Sequence, residues 1–155
     1  MSKIKICLII PPSPFLLDER VFVQLGILKI ASVLEQQHYT VDMIDLSGVE
    51  NYTDVLTDYA KRNDRADVFG EQKKNFAGSD RATKDIEALK GFFDVLVCGD
   101  GEIAIFDAIH EDHKIIDADI AKSKYFLSHQ QFTDLPPPAR HLVDMSSYKY
   151  FIEGE

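Results

Sequence analysis

Short apolar runs, each bounded by proline, glycine or polar residues, predict the strands of this chain. Ile4–Ile10 is nearly continuous and ends at two prolines, and Thr40–Leu46 and Phe92–Cys98 form two further runs. Runs of this kind are typical of strands that a parallel sheet buries on both faces. Because proline excludes a helix directly after the first strand, we predict a long loop from Pro11 to Phe22.

Between these strands the apolar positions change to a helical period. After Val23 we predict a helix that ends near Gln37. One face of this helix carries Leu25, Leu28, Ala31, Ser32 and Leu34. The segments Asn51–Lys61, Arg81–Lys90 and Ile103–Ile109 predict three more helices. A strand, a helix and a second strand in this order favour a parallel pair with a right-handed crossover. The pattern therefore predicts an α/β fold.

The middle and the end of the chain carry weaker patterns. Residues 47–91 show no strand pattern, and their stretch from 63 to 80 is mostly polar. Lys114–Ile120 and Lys124–Leu127 are compatible with short strands, and Tyr148–Ile152 with a last one. Three consecutive prolines predict an extended backbone over Asp134–Arg140.

Composition places the chain among ordinary globular domains. It has 155 residues, of which 45% are apolar and 28% charged, which excludes a collagen-like, a disordered and a disulfide-stapled chain. The net charge of −9 makes nucleic acid an unexpected partner, because an acidic surface repels phosphate. The sequence shows neither a membrane-spanning run nor the pattern of a signal peptide, so we expect no membrane partner and a cytoplasmic location.

The cysteine and histidine counts limit metal chemistry. Cys7 and Cys98 lie inside apolar runs and are expected to be buried thiols. Two cysteines cannot supply a four-thiolate zinc site or an iron–sulfur cluster. His110 and His113 are close enough to share a helix face, but the spacing offers no third ligand, so we expect a solvated helix end.

Two loops are candidate ligand contacts, because open α/β sheets bind ligands beyond the carboxyl ends of their strands. The first is the proline-rich loop 11–20, for which a packing loop is the alternative. The second is the turn Gly99–Glu102, where two glycines allow close approach and a helix begins; a tight turn with a helix cap is the alternative. Neither loop matches a dinucleotide fingerprint or a phosphate-binding loop.

Taken together, these segments resemble the N-terminal cobalamin-binding domain of cobalamin-dependent radical SAM proteins. Four motifs in the expected order carry the resemblance and cover about two thirds of the chain. They are Lys5–Leu16 with Leu25–Leu28 and Ala31–Glu35, then Val41–Leu46, then Phe93–Glu102, and finally Leu135–Arg140 followed by Tyr148.

The resemblance implies a Rossmann-like (flavodoxin-like) open parallel sheet flanked by helices, with cobalamin at its carboxyl edge. Residues 1–113 would form this domain, and 114–155 an extension that resembles the linker to a radical SAM barrel. Metal binding would come through the cobalt of cobalamin, with no metal-ligating residue assigned in this chain. The implied cobalamin contacts are Ser13, Phe15, Leu16, Leu17, Gly99, Asp100, Gly101 and Glu102.

The sequence departs from the family in three respects. The cluster motif Cys-x-x-x-Cys-x-x-Cys is absent, so we expect neither an iron–sulfur cluster nor catalysis by this chain alone. The axial-histidine motif Asp-x-His-x-x-Gly is absent as well. Residues 47–91 lack the two central strands of the family, which predicts a domain truncated in strand number.

Two alternatives follow from the residues. One is a degenerate, non-binding remnant or an interaction module, which pairs with itself or with a separately encoded catalytic domain and so covers its strand edges. The other is a different nucleotide bound at the same sheet edge.

Overall fold

The computed structural model describes residues 5–12, 19–62, 76–78, 94–110, 115–118, 120 and 122–149. These residues contain five strands: β1 (Lys5–Ile10), β2 (Thr40–Asp45), β3 (Phe76–Gly78), β4 (Val95–Cys98) and β5 (Ile115–Asp117). They contain four α-helices: α1 (Leu25–Gln36), α2 (Tyr52–Arg62), α3 (Gly101–His110) and α4 (His129–Asp134). Two 3-10 helices, Arg140–Leu142 and Met145–Ser147, follow. The predicted α/β class is confirmed.

The chain divides into two compact units. The first unit comprises Met1–Arg65 together with Pro136–Glu155, and the second comprises Ala66–Leu135. The boundary predicted between residues 113 and 114 concerns a different property, the end of a family domain, and stays a prediction.

In the first unit, β1 and β2 pair in parallel, as their predicted connection through α1 requires. The register sets Lys5 opposite Thr40 and Ile10 opposite Asp45, so both strands end at the same level. Alternate β1 residues, from Ile6 to Ile10, are buried, whereas those between them are half-buried. This sheet is therefore more deeply covered on one face than on the other.

The core of the first unit is built on α1, which packs against both strands. Leu28, Ala31 and Leu34 are each 0% exposed, as their helical spacing predicts. Leu25 was predicted on the same face, but it is 47% exposed. It is the first residue of the helix.

Residues 136–149, which we call the C-terminal strap, pack on this same unit. The backbone N–H of Ala139 donates to the carbonyl of Leu28 at 3.0 Å, and Ala139 is 3% exposed. The Ser32 hydroxyl donates to the carbonyl of Pro136 at 3.4 Å, and the His141 ring lies 3.0 Å from the Glu35 carboxylate. The segment that resembles a linker is thus bound along one side of α1.

The second unit holds a parallel three-stranded sheet in the order β3-β4-β5. All four residues of β4 are buried, which fits the continuous apolar run that predicted the strand. Val95 and Val97 pack with Ala104 and Ala108 of α3 and with Ile116 of β5. Small alanines on α3 let the helix approach the sheet closely.

Four further sequence predictions need correction. The prediction that residues 63–80 hold no strand is wrong at β3, which is only three residues long and too short to show an alternation. Lys124–Leu127 forms turns instead of a strand, since Ser123 and Phe126 each donate a backbone bond three residues back. Tyr148 and Lys149 follow a 3-10 helix and are not in a strand. Cys98 is buried as expected, but Cys7 is only partly buried.

One helix, α4, was not predicted, and several predicted features fall on residues outside the described part of the chain. The missed helix α4 is fixed by a capping box, in which Ser128 accepts from the backbone of Gln131 and the Gln131 side chain accepts from Ser128 N–H. That sequence pair is a recognisable helix-start signal. The predicted helix Arg81–Lys90, residues 150–152 of the last predicted strand, and His113 lie outside the described residues.

Candidate functional site

The turn after β4 has the local geometry that its sequence predicted. Gly99 adopts a φ of 80°, a left-handed conformation that glycine tolerates best, and Asp100 is exposed. Gly101 begins α3, and Glu102 behind it is 6% exposed. An acidic side chain at this end of a helix is electrostatically matched to the helix dipole.

The turn lies at the carboxyl end of the second sheet. The N–H of Ala118, just past β5, donates to the carbonyl of Cys98 at 2.8 Å, so the ends of β4 and β5 stay joined beyond the ladder. Gly99, Asp100, Gly101 and Glu102 therefore meet at one strand end, as predicted. The other four candidates, Ser13, Phe15, Leu16 and Leu17, lie outside the described residues.

The carboxyl end of the first sheet carries a cluster that sequence reasoning missed. Arg20, at the end of the first-strand loop, reaches across the end of β2. Its Nε donates to the carbonyl of Ser47 at 2.8 Å, its Nη1 donates to the Ser147 hydroxyl, and its Nη2 lies 3.7 Å from Asp45 Oδ2. The guanidinium carbon is 5.6 Å from the centre of the Tyr148 ring, within cation–π range.

Asp45 joins this cluster to the strap. Its Oδ2 accepts the Tyr148 hydroxyl at 2.7 Å and its Oδ1 accepts the N–H of Ser47 at 3.0 Å. The N–H of Lys149 donates to the carbonyl of Arg20 at 2.9 Å. We call Arg20, Asp45, Ser147 and Tyr148 the edge cluster. It lies where β1 and β2 both end, since Leu46 N–H still donates to the Ile10 carbonyl at 3.0 Å.

Burial and the Asp45 hydrogen bond raise the pKa of the Tyr148 hydroxyl to about 12, against an ordinary value of 10.0. Both causes disfavour the phenolate, because the ion would be poorly hydrated and would lie against a carboxylate. Ser47 and the Arg20 charge lower this pKa and partly oppose the two raising causes. The hydroxyl is therefore a proton donor throughout the neutral range.

The stabilising effect of the Tyr148 hydroxyl is expected to disappear in alkali. Because the folded pKa lies above the unfolded one, its contribution is complete below pH 10 and is lost as the pH rises through 12. Wild type should be more stable than Tyr148→Phe at pH 8, and the difference should shrink above pH 10. Urea unfolding of both proteins across this range measures it. A pH-independent difference between the two would contradict the assignment.

A second polar cluster lies at the opposite end of β1 and is structural. The Tyr59 hydroxyl of α2 donates to Asp42 Oδ2 at 2.7 Å, and Lys5 Nζ lies 2.7 Å from the same oxygen. Burial, followed by Asp42 and Cys7, raises the pKa of Tyr59 well above its usual range. Next to it is an open depression of about 420 Å³, lined by Val41, Asp42, Met43, Tyr59, Arg62 and Leu142. The cluster fastens α2 to the sheet.

Among the described residues, no group of three or more histidine, cysteine or acidic side chains is arranged to hold a metal ion. No described helix is both long and apolar enough to cross a membrane. Comparisons with protein-family models, with curated proteins and with solved structures gave no match.

Proposed function

We propose that this chain is a cobalamin-binding module with a Rossmann-like open sheet, not catalytic by itself, and that cobalamin lies against the carboxyl ends of its strands. The observation that carries the proposal is the turn Gly99–Glu102. It places a left-handed glycine, an exposed aspartate and a helix N-terminus at the end of a buried parallel strand. Parallel α/β sheets bind their ligands at this end.

The described residues fit the polar periphery of cobalamin. The N-terminal end of α3 suits the phosphate and amide groups of a nucleotide tail, because the helix dipole favours negative charge there, and glycine lets the backbone approach them. The corrin ring already holds the cobalt, so the protein need not provide a cluster of metal ligands. When bound beside a radical SAM barrel, the cofactor would supply methyl transfer or other radical chemistry.

The parallel pairing of the strands supports the proposal further. The five described strands are all parallel within their sheets, and β3 lies in the region where a truncation was predicted. The sequence resemblance adds Ser13, Phe15, Leu16 and Leu17 as contacts for the corrin. Cytoplasmic location stays part of the proposal.

Hydroxocobalamin added to the purified protein is expected to shift in visible absorbance and to co-elute with the protein on gel filtration. Asp100→Trp should weaken binding at least tenfold, because its bulky ring would fill the strand end. Asp94→Trp is the matched control, since Asp94 is an exposed aspartate at the amino end of the same strand and its replacement should leave affinity unchanged. Absence of both pigment retention and spectral change in the wild type would refute cobalamin binding.

The gel filtration also tests the second candidate function, an interaction module that pairs with itself or with a separately encoded catalytic domain. It is favoured by β2, which among the described strands pairs only with β1. Three consecutive β2 residues, Val41, Asp42 and Met43, line the open depression. Unpaired strand edges invite pairing with another chain. A dimer-sized particle that retains no pigment would support this alternative.

A further inference from the structure

The edge cluster joins two parts of the chain that are far apart in sequence. Arg20 lies in the first-strand loop, whereas Ser147 and Tyr148 lie near the end of the C-terminal strap. The hydrogen bond between Arg20 and Ser147 joins residues that are 127 positions apart in the sequence. The partners of Arg20 described above belong either to the end of β2 or to the strap. The strap is therefore fastened to the same strand ends where parallel sheets bind their ligands.

Burial makes this fastening energetically significant. Tyr148 is 5% exposed, and the Asp45 side chain is 13% exposed. Hydrogen bonds to a charged carboxylate in such a setting are stronger than neutral ones at the surface. The Arg20 side chain also passes over Gly48. A Cβ added to Gly48 would lie 3.9 Å from the Cγ of Arg20. The cluster thus covers the turn that follows β2.

We propose that the edge cluster is a latch that makes the C-terminal strap and the carboxyl end of β2 open and close as one cooperative unit. Arg20 and Tyr148 act in this scheme by holding the two segments together.

The latch is tested by measuring amide hydrogen exchange in the full chain. Two amides report its two sides: Lys149 N–H, which donates to Arg20, and Ser47 N–H, which donates to Asp45. Tyr148→Phe should speed exchange of both by about fivefold, the factor expected for loss of one net hydrogen bond. Ser147→Ala, a milder change that removes one Arg20 bond, should act in the same direction on both.

A matched control lies in the second unit. There the Tyr125 hydroxyl donates to Asp107 Oδ2 at 2.7 Å, the same bond type and length as Tyr148 to Asp45. Tyr125→Phe should leave both reporter amides unchanged. If Tyr148→Phe speeds exchange at Lys149 but not at Ser47, the strap docks without setting the end of β2, and the latch is overturned.

Discussion

Leu28→Ala is expected to lower the free energy of unfolding by about 3 kcal/mol, the usual cost of a cavity at a fully buried leucine. Leu28 is 0% exposed in the first turn of α1, and its carbonyl accepts the N–H of the strap residue Ala139 at 3.0 Å. A cavity beside this carbonyl therefore loosens both the helix and the strap. Urea unfolding should show a lower midpoint with an unchanged slope.

Leu25→Ala is the matched control for this cavity. Leu25 lies one helical turn before Leu28 and is 47% exposed, so the same chemical change should cost no more than about 0.5 kcal/mol. Equal losses for the two variants would mean that α1 does not bury the face described above.

The contrast between these leucines also shows how far a periodic pattern reaches. Spacing correctly placed Leu28, Ala31 and Leu34 inside, because three residues one turn apart share a helix face. It could not tell that Leu25, on the same face, is 47% exposed at the first position of the helix. Periodicity gives the direction of a side chain but not how completely neighbouring segments cover it.

The strands show a similar limit. β1, β2 and β4 are four to six residues long and were predicted from their apolar runs. The three residues of β3 are held by pairing with β4, a contact that no local pattern reports. Strands of this length owe their structure to a neighbour, so β3 was missed where the local signal was weakest.

The candidate site shows the same difference between local and long-range features. The glycine turn Gly99–Glu102 was predictable because glycine and a following helix leave a local signature. The edge cluster was not, because Arg20 and Tyr148 gain their roles only when distant segments meet. Asp45 was visible in the sequence merely as a polar residue at the end of a strand.

Asp45→Ala is expected to be among the most costly single changes, lowering the free energy of unfolding by about 3 kcal/mol. It removes the acceptor of the Tyr148 hydroxyl and of Ser47 N–H, and it removes the carboxylate that lies 3.7 Å from Arg20 Nη2. Chemical unfolding at neutral pH measures the loss. Asp107→Ala is the control, because Asp107 also accepts a tyrosine but pairs with a lysine whose side chain is 65% exposed, and we expect less than about 1.5 kcal/mol there.

A double-mutant cycle then separates the shared bond from the rest of the Asp45 effect. If Tyr148 acts through Asp45, the Asp45→Ala/Tyr148→Phe protein should be more stable than the sum of the single losses predicts, by about 1 kcal/mol. Asp45→Asn should fall between alanine and wild type, since its amide oxygen still accepts the hydroxyl but offers no charge to Arg20. Strict additivity in the cycle would mean that the 2.7 Å contact contributes nothing to stability, and the latch would lose its energetic basis.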